Sequence, residues 1–173
     1  ICGWVGSNNS LEKKFSLPNS MGSIGKLWGR CTRYIFKLSA GYPRGHQAGS
    51  VMAMAAMGNP DKYYDAFYTM ATKDFRLATI SPTGAKRGVY VPPEEEVYHP
   101  YLDKFRKIGE KSEQEKFDLA AALQKVTEDI LFSLIRQMLE KVPIASGTKP
   151  RNLCIAGGVS LNSVFAGKIL KEF

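Results

Sequence analysis

Cysteine is scarce in this chain of 173 residues, histidine scarcer, and no apolar run is long. Cys2, Cys31 and Cys154 lie far apart and form neither a CxxC pair nor a zinc-ligand spacing, which excludes a disulfide scaffold and a zinc module. Three scattered thiols fit a reducing cytosol, and Cys154, in an apolar stretch, is expected to be a small buried side chain. His46 and His99 are the only histidines, and neither has carboxylates at ligand spacing, so no metal site is expected from this chain. No run approaches the roughly 18 apolar residues of a membrane span, and no signal peptide is visible, so the expected compartment is the cytoplasm. The chain starts at Ile1, as an excised segment would. GxGxxG, GxxxxGK[ST] and GxSxG are all missing, which removes the Rossmann fingerprint, the P-loop and the hydrolase elbow.

What is present is globular. Hydrophobic residues make up 44% and charged residues 23%, a balance that supports one packed domain over residues 1–173. The net charge of +8 is spread along the chain, with its densest groups at Lys13-Lys14, Lys86-Arg87 and Lys104 to Lys111. The last of these alternates with acidic residues and reads as a solvated face. No interleaving of aromatic and basic residues marks a nucleic-acid surface.

The pattern predicts a short strand at residues 1–6, a polar loop at 8–20, and a helix from about Ser20 through Leu27, Trp28, Cys31, Tyr34 and Ile35. Residues 46–57, rich in Ala and Met, read as a short buried helix ending at Gly58. Asn59 and Pro60 then suit the cap and first position of another helix, which carries Tyr63, Tyr64, Phe67, Tyr68 and Met70. Residues 75–80 and 89–91 read as short strands. The clearest element is a long amphipathic helix over 113–142. Ser112 and Glu115 make its capping box, and Leu119, Leu123, Val126, Ile130, Leu134 and Met138 draw its stripe. That stripe is expected to pack on a sheet holding a buried strand at 152–156. A Gly157-Gly158 turn follows, then a helix over 160–173.

The chemistry is best sought at that turn. Paired glycines let a ligand approach the backbone, and the helix behind them offers free N–H groups to a phosphate. The Asn162 amide can both donate and accept toward a sugar or base edge. The plain reading of Gly-Gly between strand and helix is a tight turn, so the motif alone decides little. Gln124 and Glu128, one turn apart on the long helix, read first as its polar flank.

Taken in order, the segments resemble the NodU/CmcH-type carbamoyltransferases. They are Asp118-Leu119-Ala120-Ala121-Ala122-Leu123-Gln124, Val126-Thr127-Glu128, Asn152 through Gly157-Gly158-Val159-Ser160-Leu161-Asn162, and Gly167-Lys168-Ile169-Leu170. Upstream, the stretch from His46 to Gly58 resembles a degraded HEAGKVMGLAAYG-like segment of that family, with Gln47 and Ser50 standing for its Glu and Lys. Ala166 stands for an Asn. The resemblance covers somewhat over half of the chain, and is strong from Phe117 to Leu170.

It implies an α/β fold: a helix-rich, partial actin-like ATPase (ASKHA) domain with a short buried strand and a long amphipathic helix, an internal segment of the enzyme's N-terminal domain. It further implies that ATP and carbamoyl phosphate give carbamoyl adenylate, whose carbamoyl group passes to a hydroxyl of a small acceptor. Gly157, Gly158, Val159 and Asn162 would line the nucleotide pocket. The family's divalent-metal ligands, a histidine pair upstream and an aspartate downstream, fall outside this chain, as does its YrdC-like domain. The working partners are then the other parts of the same polypeptide, and the 173-residue chain alone is expected to be inactive. Two further readings stay open: a non-catalytic nucleotide-binding homologue, and a basic nucleic-acid-binding module.

Overall fold

A computed structural model describes residues 2–7, 9–16, 24–38, 47–72, 100–140 and 152–173. The chain divides into two compact units: residues 20–126, and a second made of 1–19 with 127–173. The long helix belongs to both.

The unit of residues 20–126 is helical. Helix α1 (Ile24–Arg30) passes into a π-helical turn, Cys31–Ile35, and together they bury Ile24, Leu27, Trp28, Cys31, Tyr34 and Ile35. Burial pushes the Cys31 thiol far above its ordinary range, so it is a packing group and not a nucleophile. Helix α2 (Ala48–Ala55) is not the buried helix its composition suggests, because Val51 is its one buried residue and most of its Ala and Met side chains are partly or fully exposed. Asn59 and Pro60 do not open a helix. The Asn59 Oδ1 accepts from the Asp61 N–H at 3.0 Å, a local turn that competes with helix, and α3 (Tyr64–Thr72) starts later. Phe67 of α3 stacks on Phe105 of α4 (Pro100–Gly109) with centroids 4.5 Å apart, and α4 also lies against the π turn. Arg106, Lys107, Asp103 and Glu110 pair along α4 at helical spacing, as a solvated charged face would.

Helix α5 (Glu113–Glu140) is the long helix and starts where its pattern predicts, the last two expected residues lying outside the described residues. Half of the capping box forms: the Glu115 N–H donates to Ser112 Oγ at 3.2 Å. The Glu115 carboxylate turns instead to Lys62 and Tyr63. Leu119, Leu123 and Val126 are buried as the stripe requires, but so are Asp118, Ala120, Ala121, Ala122, Gln124, Thr127 and Glu128. This middle stretch is therefore buried well beyond the stripe, with Lys125 its exposed position, and its alanines allow close approach. Beyond it the buried positions shift to Phe132 and Ile135, leaving Ile130, Leu134 and Met138 half-buried.

The other unit opens with a hairpin. Strand β1 (Cys2–Ser7) pairs antiparallel with β2 (Ser10–Ser16), from Ser7↔Ser10 to Cys2↔Ser16, with an irregularity between Gly3 and Trp4. The polar stretch expected to be a loop is thus β1's partner, turned by Asn9 at φ 62°, a left-handed value that asparagine tolerates. Residues 152–156 form no strand: among the described residues nothing pairs with them, and all five are exposed, Cys154 included. They are not a sheet on which the α5 stripe could pack. A 3-10 turn (Gly158–Leu161) and helix α6 (Ser163–Glu172) follow. Phe165 packs with Phe132 and Ile135 of α5, flanked by Leu131, Leu139 and Ile169. No described helix is long and apolar enough to cross a membrane. The expected strands at 75–80 and 89–91, both histidines, and Lys86-Arg87 lie outside the described residues.

Candidate functional site

The glycine turn is built from three local rules. Gly157 holds φ 105° and ψ 170°, a region almost closed to residues with a Cβ. The 3-10 turn then closes as the Ser160 N–H donates to the Gly157 carbonyl at 3.0 Å and Ser160 Oγ donates to the same oxygen at 2.6 Å. Asn162 ends the turn in extended geometry, and its Oδ1 accepts from the Phe165 N–H at 3.0 Å, which makes it the N-cap of α6. The helix therefore begins at Ser163 and not at Ser160, because the asparagine side chain satisfies one of its first donors.

The four predicted residues divide accordingly. Gly157 and Gly158 are exposed, and a Cβ built on either would meet nothing within 4 Å. Val159 is half-buried beside them. Asn162 is buried, and its side-chain oxygen is an internal cap. The turn thus presents open backbone, with the asparagine holding it from behind.

Sequence reasoning undervalued what lies under α6. Gln124 and Glu128 are not a solvated flank, since both are buried. Lys168 of α6 reaches Glu128 Oε2 with its ammonium at 2.7 Å, joining two segments that the sequence sets far apart. An Arg136–Glu172 pair at 2.7 Å and a Phe132–Phe165 contact with centroids 5.3 Å apart complete the junction. The Ala166 that replaces the family's Asn is exposed on α6, and so are Gln47 and Ser50 at the start of α2.

A second polar cluster sits where α5 meets the chain after α2. Asp118 Oδ1 accepts from the Asn59 N–H at 2.9 Å and from Gln114 Nε2 at 2.8 Å, and Lys62 Nζ lies 3.3 Å from Oδ2. Burial pushes the Asp118 carboxyl upward, yet the Asn59 N–H, the Gln114 amide and the Lys62 charge together hold it below its ordinary value. Glu115 is held low by hydrogen bonds from Lys62 at 2.8 Å and from the Tyr63 hydroxyl at 2.5 Å. Burial and the Glu115 carboxylate in turn raise the Tyr63 phenol. Every group here is spent on another protein group, so the cluster reads as a clamp. Among the described residues no three His, Cys, Asp or Glu side chains assemble as a metal set.

Comparison with known proteins gives a direct answer on family. The family model described as Carbamoyltransferase N-terminus matches residues 3–173. An uncharacterised protein of Synechocystis sp., sll1178, is 28% identical over 98% of this chain. The chain spans 26% of that protein's length. No solved structure matches. Residues 3–173 make this chain a member of the carbamoyltransferase N-terminus family.

Proposed function

We propose that this chain is the part of a carbamoyltransferase that lends its Gly157-Gly158 turn to the nucleotide pocket. The enzyme would use ATP and carbamoyl phosphate to carbamoylate a hydroxyl of a small acceptor, by way of carbamoyl adenylate. The observation that carries the reading is the open space at the turn. Among the described residues a Cβ added at Gly157 or Gly158 would meet no atom within 4 Å, and the start of α6 follows the turn directly. In this role the chain binds and orients, placing N–H groups toward phosphate oxygens without lending a proton donor. The divalent metal of the reaction would be held by residues outside this chain and would supply charge stabilisation to the phosphates. The actin-like ATPase fold goes with this proposal. Residues 152–156, exposed with Leu153 and Ile155 among them, are where further strands of the same polypeptide would pair.

The test is titration of a fluorescent ATP analogue against the full-length protein. Gly158→Val fills the open space and should weaken binding at least about tenfold, while Lys26→Ala, at an exposed lysine of α1, should leave it unchanged. Equal affinities for the wild type and a folded Gly158→Val protein would reduce the motif to a turn. A full-length protein that binds the analogue but consumes no carbamoyl phosphate would be the non-catalytic homologue.

A further inference from the structure

The segments ending in Glu128 and beginning at Gly167-Lys168 stand far apart in sequence, and neither is absorbed by the glycine turn. The structure joins them. We propose that the Glu128–Lys168 ion pair is a positioning device that sets the angle of α6 and, through it, the placement of the Gly157-Gly158 turn. This rests on the nucleotide reading above.

Three kinds of contact among the described residues hold α6 to α5. The first is apolar: Phe165 packs on Phe132 and Ile135, with Leu131, Leu139 and Ile169 around them and the Phe173 ring 6.0 Å from that of Phe132. Apolar packing holds the two helices together, but it is not directional and does not by itself select one setting of α6. The second, Arg136–Glu172, is directional but has side chains 54% and 39% exposed, and a solvated pair of this kind contributes little. The third is Lys168–Glu128 at 2.7 Å. Here the carboxylate is 4% exposed and the lysine 49%. Taking the Lys168 cation away from a buried carboxylate is unfavourable, whereas the half-exposed lysine can find water. Glu128 is therefore the anchor, built into a buried part of α5, and Lys168 is the tether that must come to it.

What the tether fixes is passed on rigidly. Lys168 sits on the same short helix as Phe165, whose N–H is bonded to Asn162 Oδ1. Asn162 closes the 3-10 turn, and that turn bonds back to the Gly157 carbonyl. A shift of α6 on its apolar contact with α5 carries the whole chain of bonds with it, displacing backbone N–H groups from any phosphate they face. Lys168 and Glu128 are positioning residues, acting on the ligand through α6.

The experiment compares full-length variants by affinity for the fluorescent ATP analogue and by melting temperature. Lys168→Met keeps the aliphatic stem and should weaken binding about tenfold in protein that remains folded. Glu128→Gln should weaken it to a similar degree, Lys168→Arg should restore it to within about threefold, and Glu172→Gln should leave it unchanged. Loss of affinity in Lys168→Met with none in Glu128→Gln would mean that the lysine touches the nucleotide itself, which overturns the proposal. Lowered melting temperatures with unchanged affinity in both variants would leave the pair merely structural and overturn it as well. Gly158→Val separates the two levels. If it weakens binding and the ion-pair variants do not, the positioning role alone fails. If it has no effect, the nucleotide reading fails and this proposal falls with it.

Discussion

Two glycine turns, one in each unit, show opposite reasons for the same residue. At Gly58 an added Cβ would lie 2.0 Å from the Phe117 carbonyl oxygen and 2.6 Å from the Asp118 nitrogen. The chain there is pressed onto the backbone of α5, and only a hydrogen atom fits. At Gly157 and Gly158 a Cβ would meet nothing within 4 Å. Gly157 is required by its φ of 105°, and Gly158, whose φ is not positive, is required by neither packing nor conformation. A glycine that the fold does not need is one whose freedom is available to a ligand.

The difference should be largest in stability. Gly58→Ala forces its own turn away from α5, straining the Asp118 bond to Asn59, and should cost about 3 kcal/mol or more by urea denaturation. A loss below about 1 kcal/mol would show that the turn can lift from α5 at little cost. Gly157→Ala comes next. Its Cβ has room, so the cost is only that of holding alanine in a glycine region, about 1–3 kcal/mol.

How much of this could be read from sequence differs between the two turns. Gly157-Gly158 was visible because the motif is contiguous and the segments around it match the carbamoyltransferase pattern. The seat of Gly58 was not, since its partner Phe117 is far along the chain and no local signal marks a backbone-to-backbone contact. The same limit hid Glu128–Lys168: each residue alone looks like surface charge, and burial of the carboxylate follows from packing around α5 that periodicity does not encode. Helix α5 itself is legible from its start at Glu113, because length and a strong stripe outweigh local detail. The β2 strand is hard to read from sequence because Ser, Glu and Lys dominate it, and its turn signal rests on Asn9. Residues 152–156 read as a buried strand from composition alone, while strand formation depends on a partner that the described residues do not include.

A smaller effect separates the clamp at Gly58 from mere proximity. Asp118 is held below its ordinary value, so its contribution is present above the unfolded carboxylate range of about pH 4 and is lost as pH falls through the folded value. Asp118→Asn should therefore cost about 1 kcal/mol at neutral pH, with the gap to wild type closing below about pH 4. Melting curves from neutral to acid pH check this. A gap that persists undiminished in acid would assign the role of Asp118 to its shape and not to its charge.

The smallest stability change is expected at Gly158, and it is the most informative. Replacing it with alanine meets no atom within 4 Å, and its φ lies outside the left-handed region, so stability should stay within about 0.5 kcal/mol of wild type. The fold has room for the methyl group, but that group occupies the space where a phosphate would meet the backbone in the proposed pocket. Affinity for the ATP analogue should then fall in the order Gly158, Ala, Val as the side chain grows, while melting temperature hardly moves across the first two. Gly157→Ala should do the reverse at first sight, losing stability through its φ. Any loss of affinity there would have to be corrected for the unfolded fraction. If instead Gly158→Ala destabilises as much as Gly157→Ala, both glycines serve the turn, and the contrast with Gly58 becomes one of degree. If Gly158→Ala leaves both stability and affinity untouched while Gly158→Val weakens binding, the ligand approaches the turn without touching its backbone, held off by more than a methyl group's width.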